Sequence, residues 1–82
     1  MSMKTITVRY FAAFREQAGL SEESIEIDAD TAADVFAATA DRHGSAEPLG
    51  HCKVAINDDM ASWESPVADG DVVLLFPPVA GG

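Results

Sequence analysis

The sequence has 82 residues, 48% of them hydrophobic, and its five lysines and arginines stand against fourteen aspartates and glutamates. This length allows one domain, with a core near the lower size limit for folding without disulfides or metals. The formal net charge of -9 repels phosphate backbones and anionic lipid surfaces, so we expect neither nucleic-acid binding nor membrane binding.

Cysteine usage and the N-terminus indicate the compartment. The single cysteine, Cys52, cannot form an internal disulfide. The first residues lack the basic and apolar regions of a secretion signal. The longest apolar run, residues 72–76, falls far short of the roughly 20 residues needed to cross a bilayer. We therefore expect a cytoplasmic protein.

The first predicted elements are a strand, a short helical turn and a second strand. Residues 5–10 alternate apolar and polar side chains, as in a half-buried strand. Residues 11–18 lose the alternation and end at Gly19, which predicts a helical turn. Residues 24–28 alternate again. The two strands are expected to form a hairpin, and their inward residues are Ile6, Val8, Tyr10, Ile25 and Ile27.

One substantial helix is predicted next. Thr31 and Asp34 have the spacing of a capping box, in which each side chain bonds to the other residue's backbone N–H. Apolar side chains recur behind them at helical spacing, and Gly44 is a natural stop. Such an apolar stripe requires a sheet to cover it. Residues 45–50 are expected to form a loop.

The last third of the sequence predicts further strands. Residues 53–57 form a third strand, residues 60–63 a short edge segment, and residues 72–76 a final strand after a turn at residues 69–71. In the final strand Phe76 falls on the face opposite Val73 and Leu75, so we expect it to be exposed. The predicted fold class is α+β, a mixed sheet of four to five strands with one main helix packed across it.

The usual catalytic residues are sparse. His43, His51 and Cys52 do not have the spacing of a zinc site, and no metal site is expected. His51 and Cys52 are adjacent, and neighbours on a strand point to opposite faces, so they form a poor nucleophile and base pair. We expect Cys52 to be a buried small residue, His51 a surface residue, and His43 a cation at the helix C-terminus.

The C-terminus is the unusual feature. The last strand runs into Pro77 and Pro78, which lack N–H donors and end sheet pairing. The chain ends on Gly81 and Gly82, which have no Cβ and can enter a narrow channel. Residues 1–76 are thus predicted to be the folded domain, and residues 77–82 a flexible arm that can reach about 20 Å. Fraying of an ordinary terminus is the alternative.

These features resemble the MoaD/ThiS family of ubiquitin-like, β-grasp sulfur carriers, and within it the small subunits of molybdopterin synthase. The resemblance covers essentially the whole chain. It is carried by three segments, which read YFAAFRE at residues 10–16, VAIN at residues 54–57 and DGDV at residues 69–72, and by the ending FPPVAGG. Ala80 replaces the more frequent serine or threonine.

The resemblance implies a chemistry for the tail. An E1-like, MoeB-like enzyme would adenylate the carboxylate of Gly82 with ATP and Mg²⁺, and a sulfurtransferase would then supply sulfur to give a thiocarboxylate. The sulfur would pass to cyclic pyranopterin monophosphate inside a MoaE-like large subunit and build the molybdopterin dithiolene. The carrier would bind no cofactor, would have no active site of its own, and would form a heterotetramer with the large subunit.

The resemblance also implies a contact surface for the large subunit. The body would dock through Phe11, Arg15, Met60 and Phe76, and the tail Pro77, Pro78, Val79, Ala80, Gly81 and Gly82 would enter the partner. Core packing is the alternative for Phe11 and Met60, and a plain solvated charge is the alternative for Arg15.

Other functions share the same tail. The carrier could serve thiamine, cysteine or tRNA thiolation, or Gly82 could be joined to lysines as in ubiquitin-like modifiers. A plain interaction module with an incidental Gly-Gly is a different class of function. Deletion of Gly82 discriminates this module from the carriers, because only the carriers would lose function while remaining folded.

Overall fold

The computed structural model describes residues 3–44 and 47–78 and contains a five-stranded mixed sheet. The strand order is β2-β1-β5-β3-β4; β1 and β5 are parallel, and the other pairs are antiparallel. The strands are Lys4–Tyr10 (β1), Glu22–Ile27 (β2), Lys53–Ile56 (β3), Asp59–Ala61 (β4) and Val72–Phe76 (β5). The helices are Ala13–Ala18 (α1) and Ala32–His43 (α2), and a 3-10 turn covers Leu49–His51.

One face of the sheet, here called the inner face, packs against α2. Alternate residues of the strands meet the apolar stripe of α2 in a single core. The side chains most completely removed from solvent are Ile6, Val8, Val35, Val54, Val73 and Leu75. The predicted inward positions are confirmed, except that Ile27 is only partly buried at the edge of the core.

Helix α2 begins and ends where the sequence predicts. The Thr31 side chain accepts a hydrogen bond from the Asp34 backbone N–H, and the Asp34 carboxylate accepts one from the Thr31 N–H. Backbone hydrogen bonds from Asp30 and Thr31 lower the pKa of Asp34, so the cap favours the ionised form. Gly44 has φ 71°, a left-handed conformation that ends the helix.

The remaining connections also follow the sequence. β1 and β2 form the predicted hairpin. Asn57 and Asp58 join β3 to β4 with φ of 52° and 72°, the two left-handed residues of a tight hairpin turn. Ser45 and Ala46, which begin the predicted loop, lie outside the described residues. Within the described ranges neither helix has the length and apolar character needed to cross a membrane.

Candidate docking surface and tail exit

Two aromatic rings stack where β5 ends. Tyr10 is paired with Leu75 in the parallel β1–β5 ladder, so the next residues, Phe11 and Phe76, become neighbours. Their ring centroids are 4.7 Å apart and the planes meet at 18°. The prediction that Phe76 would be exposed is therefore only partly correct, because the Phe11 ring covers one side of it and both residues are half-buried.

The turn that follows Phe11 holds a strained residue. Ala12 has φ 50° and ψ -123°, and the Phe14 N–H donates to the Phe11 carbonyl across the turn. This geometry suits the first central position of a type II′ turn, where glycine is preferred. A positive φ in a residue with a Cβ costs about 1–3 kcal/mol. The turn directs Phe14 into the core and leaves Phe11 beside Phe76.

An open groove of about 530 Å³ lies beside the stacked rings. Its lining is mostly apolar and consists of Phe11, Ala12, Ala13, Glu16, Phe76, Pro77 and Pro78. The first two tail residues thus form part of the groove, and the chain leaves the sheet at its rim. The other predicted tail residues, Val79, Ala80, Gly81 and Gly82, lie outside the described residues, so the predicted role of the Gly82 carboxylate remains a prediction.

The face of the sheet away from α2, here called the open face, extends the apolar surface toward β4. Met60 is opposite Ala55, which is opposite Leu74 on β5, so the three side chains share this face. Met60 is 69% exposed, whereas Ala55 and Leu74 are buried by their neighbours. Core packing is therefore excluded for Met60, and half-buried Phe11 also lies outside the core.

Arg15 is exposed on α1, four residues after Phe11 in the sequence. Within residues 3–44 and 47–78 no carboxylate lies within 4 Å of its guanidinium group. The groove beside the aromatic pair is lined by Glu16 and not by Arg15, so the predicted contact of Arg15 with a partner remains a prediction.

A polar network lies on the opposite side of the sheet. The Glu23 carboxylate accepts hydrogen bonds from Tyr10 Oη and Arg42 Nε and contacts His43 Nε2, at 2.5, 3.1 and 2.5 Å. Burial, followed by the hydrogen bond to Glu23, raises the pKa of Tyr10, which therefore remains a phenol donor at neutral pH. Burial also acts to raise the pKa of Glu23, but the hydrogen bonds from His43 and Tyr10 and the charge of Arg42 outweigh it and lower the pKa.

Helical spacing predicts the position of His43 at the C-terminus of α2 but gives no sign of this network. The available signal was the alternation of β2, because extending it backward from Ile25 places Glu23 on the inner face, opposite Val8. A gap of about 10 Å³ adjoins Tyr10 and His43 and holds at most one water. The network therefore joins β1 and β2 to the end of α2, and there is no room beside it for a substrate.

The remaining candidate groups occupy the expected places. Cys52 is 3% exposed, and its thiol donates to the Pro48 carbonyl. Burial and then the charge of Glu47 raise the pKa of Cys52, which keeps it a thiol and a poor nucleophile. His51 is exposed in the 3-10 turn. Among the described residues no cluster of three or more His, Cys, Asp or Glu side chains is arranged to hold a metal ion.

Comparison with known proteins gives the family. A sequence model of the ThiS family matches residues 8–82. The molybdopterin synthase sulfur carrier subunit of Escherichia coli is 36% identical over 80 residues, covering 94% of this chain and 99% of that protein. The subunit of the same name from Haemophilus influenzae is 38% identical over 80 residues, with the same coverage of both chains.

Solved structures agree with the fold. Small archaeal modifier protein 1 (SAMP1) from Haloferax volcanii superimposes with a TM-score of 0.78 at 30% identity, covering 95% of this chain and 99% of its own. A chain in the complex of subunits 1 and 2 of molybdopterin-converting factor from Helicobacter pylori is 34% identical, with a TM-score of 0.60 and the same coverage. The expected ubiquitin-like β-grasp fold is confirmed by these likenesses and by the sheet topology.

Proposed function

The chain belongs to the ThiS family, and we propose that it is the sulfur carrier subunit of a cytoplasmic molybdopterin synthase. The proposal is supported by the geometry at the end of the folded domain. β5 ends at Phe76, which stacks on Phe11, and Pro77 and Pro78 follow directly. A docking surface at the root of the tail, where Phe76 is followed by Pro77, would hold the folded domain against the partner. The carboxylate of Gly82, six residues beyond Phe76, would then be confined to one region of the partner.

The proposed chemistry starts at that carboxylate. A carboxylate is a poor electrophile, so an E1-like enzyme first joins it to AMP from ATP, with Mg²⁺ and release of pyrophosphate. The outer sulfur of a persulfide on a sulfurtransferase then displaces AMP and gives an acyl disulfide. A thiol cleaves the sulfur–sulfur bond and is itself oxidised to a disulfide, and the terminus of Gly82 is left as a thiocarboxylate. In the large subunit this soft nucleophile attacks a carbon of cyclic pyranopterin monophosphate and forms a thioester. Water then cleaves the acyl–sulfur bond and returns Gly82 as a carboxylate, and two such transfers build the dithiolene.

The side chains of this chain support a division of roles between the carrier and the large subunit. Cys52 is buried with a raised pKa, and Glu23 and His43 are engaged in the inner-face network. These groups are therefore poor candidates for the acid–base chemistry of sulfur transfer, which we assign to the large subunit. The carrier contributes its tail and its docking surface, and the assembly is proposed to be a heterotetramer of two small and two large subunits.

Reconstitution tests the proposal. The purified chain is incubated with an E1-like enzyme, ATP, Mg²⁺, a sulfurtransferase, a molybdopterin synthase large subunit and cyclic pyranopterin monophosphate, and dithiolene formation is measured. The full chain should support product formation, and the chain lacking Gly82 should give none while showing the same circular dichroism and thermal unfolding. Equal product from both chains would contradict the proposal.

Protein modification is the second candidate function, and the likeness to an archaeal modifier protein favours it. In that case the activated carboxylate of Gly82 would form an amide bond with a lysine amine of another protein. The same reconstitution with a cell extract distinguishes the two, because conjugates of higher mass that depend on ATP and Gly82 would indicate a modifier. A carrier that serves thiamine, cysteine or tRNA thiolation would instead be loaded with sulfur but would not react. Its thiocarboxylate would remain intact when the molybdopterin synthase large subunit and cyclic pyranopterin monophosphate are added.

A further inference from the structure

The cations of this acidic chain divide into two groups. Three of the five are bound to a carboxylate: Lys4 to Asp30, Arg9 to Glu22 and Arg42 to Glu23, at 3.9, 3.6 and 3.1 Å. The other two are Arg15 and Lys53, and neither has a carboxylate within 4 Å among the residues that the structure describes. With fourteen acidic residues in 82, this lack of a partner is notable.

Lys53 lies at the root of the tail. It is directly opposite Phe76 in the antiparallel β3–β5 pair, so both side chains project from the open face, and residues opposed in this way have Cβ atoms about 5 Å apart. Phe11 stacks on the other side of Phe76. The chain therefore leaves the sheet between an aromatic ring on one side and an exposed ammonium group on the other.

The position of this charge has consequences for a partner. The net charge of -9 attracts a basic surface. A uniformly basic surface would nevertheless be repelled at Lys53, because like charges brought together at an interface destabilise the complex. A carboxylate placed opposite Lys53 removes the repulsion and also selects one orientation of the docked body. Orientation matters here because the reactive terminus is six residues beyond Phe76.

We propose that Lys53 is an orienting residue of the docking surface, and that the large subunit which receives the tail presents a carboxylate against it. The inference rests on the proposed function, since it takes that subunit as the occupant of the open face. It adds to the surface of Phe11, Arg15, Met60 and Phe76 a charged contact on the opposite side of the tail root. Lys53 acts through the position of the tail and takes no part in the chemistry.

The test compares two neutralised cations. Lys53→Gln removes the charge that has no carboxylate within 4 Å in the described part of the chain. Arg9→Gln removes a charge from the same open face on β1, where Arg9 is paired with Glu22 and separated from β3 by β5. The two variants have the same net charge, so any difference between them is local. Association with the purified large subunit is followed by stopped-flow or biosensor kinetics at low salt and at 1 M salt, and sulfur transfer by single turnover.

We expect Lys53→Gln to slow association about tenfold at low salt, and Arg9→Gln to change it little. The difference should vanish at 1 M salt, where charges are screened within about 3 Å. Lys53→Glu should associate more slowly still. Replacing one acidic residue near the large subunit's tail channel by a basic one should restore the association rate of the Lys53→Glu variant. Equal kinetics for Lys53→Gln and Arg9→Gln would overturn the inference and leave the proposed function intact. No complex with the unaltered chain would overturn both.

Discussion

The two faces of the sheet differ in how fully their side chains are satisfied within the chain itself. On the inner face the half-buried Glu23 holds three partners, and the described part of the chain has no buried side-chain polar atom without a hydrogen bond. On the open face Met60 is exposed, Lys53 has no ionic partner among the described residues, and Ala12 is strained in the adjoining turn. The inner face therefore maintains the fold. We infer that on the open face a partner protein covers Met60 and supplies an ionic contact to Lys53.

The largest effect is expected at the aromatic pair. Phe76→Ala removes the ring next to the tail root and should weaken binding to the large subunit by about 100-fold, as for a central interface aromatic. Stability of the free chain should fall by only about 1 kcal/mol, because Phe76 is already half-exposed. Calorimetric titration and thermal unfolding measure the two quantities.

Val35→Ala is the control for the aromatic pair, since Val35 is fully buried under the inner face. It should cost about 2 kcal/mol of stability and leave the affinity of the folded chain unchanged. An equal loss of affinity in the two variants would mean that the two faces are not independent.

The inner-face network should respond in the opposite way. Glu23→Gln removes the ionised acceptor of Tyr10, Arg42 and His43 and should cost about 2 kcal/mol of stability at neutral pH, with unchanged affinity for the large subunit. Chemical denaturation at several pH values measures the cost.

The pH dependence of that cost has a definite sign. The pKa of Glu23 in the folded chain is below its ordinary value of 4.5, so its ionised form is stabilised by folding. The advantage of the native chain over Glu23→Gln should be complete above about pH 4.5 and should shrink as the pH falls through the folded pKa. An advantage that is constant down to pH 2 would show that the charge of Glu23 does not contribute.

Exposed methionines allow a matched comparison of two surface positions. Met60 and Met3 are 69% and 63% exposed, but Met60 is on the open face and Met3 precedes β1, at the opposite end of that strand from Phe11. Met60→Glu should weaken large-subunit binding about tenfold, and Met3→Glu should leave it unchanged. Similar losses in both variants would indicate a general effect of added negative charge.

The smallest effect is expected at the strained turn. Ala12→Gly relieves the positive φ and should stabilise the free chain by about 1 kcal/mol. The methyl group lines the groove beside Phe11, so its removal should not strengthen partner binding. A loss of stability in Ala12→Gly, measured by denaturant unfolding, would contradict the strain assigned to this turn.

The features that local sequence patterns determine were predicted, and those that depend on register or on distant neighbours were not. Strand alternation located Ile6 and Val8 in the core, and the capping box located the start of α2. The Glu23 network was missed because it joins β2 to the end of α2, about 20 residues apart in sequence. Alanine is not a residue that indicates a turn with positive φ, so the strain at Ala12 could not be predicted from the sequence either.

The docking surface was predicted in part. The resemblance to a known family supplied Phe11, Arg15, Met60 and Phe76, but the stacking that half-buries Phe76 requires the parallel pairing of β1 and β5. Lys53 was not predicted, because its position opposite Phe76 follows from the β3–β5 register. Local periodicity identifies the face of a strand but not the residue across from it.

Mass spectrometry of the C-terminal peptide shows whether the carboxylate of Gly82 accepts sulfur. After treatment with the E1-like enzyme, ATP and a sulfur donor, cleavage after Glu64 releases residues 65–82, which contain no methionine, so methionine oxidation cannot mimic the small mass difference between sulfur and oxygen. If Gly82 carries the sulfur, this peptide gains the mass of one sulfur in exchange for one oxygen, located at Gly82. An unchanged peptide, under conditions in which a known carrier is loaded by its own activating enzyme, would contradict that role of Gly82.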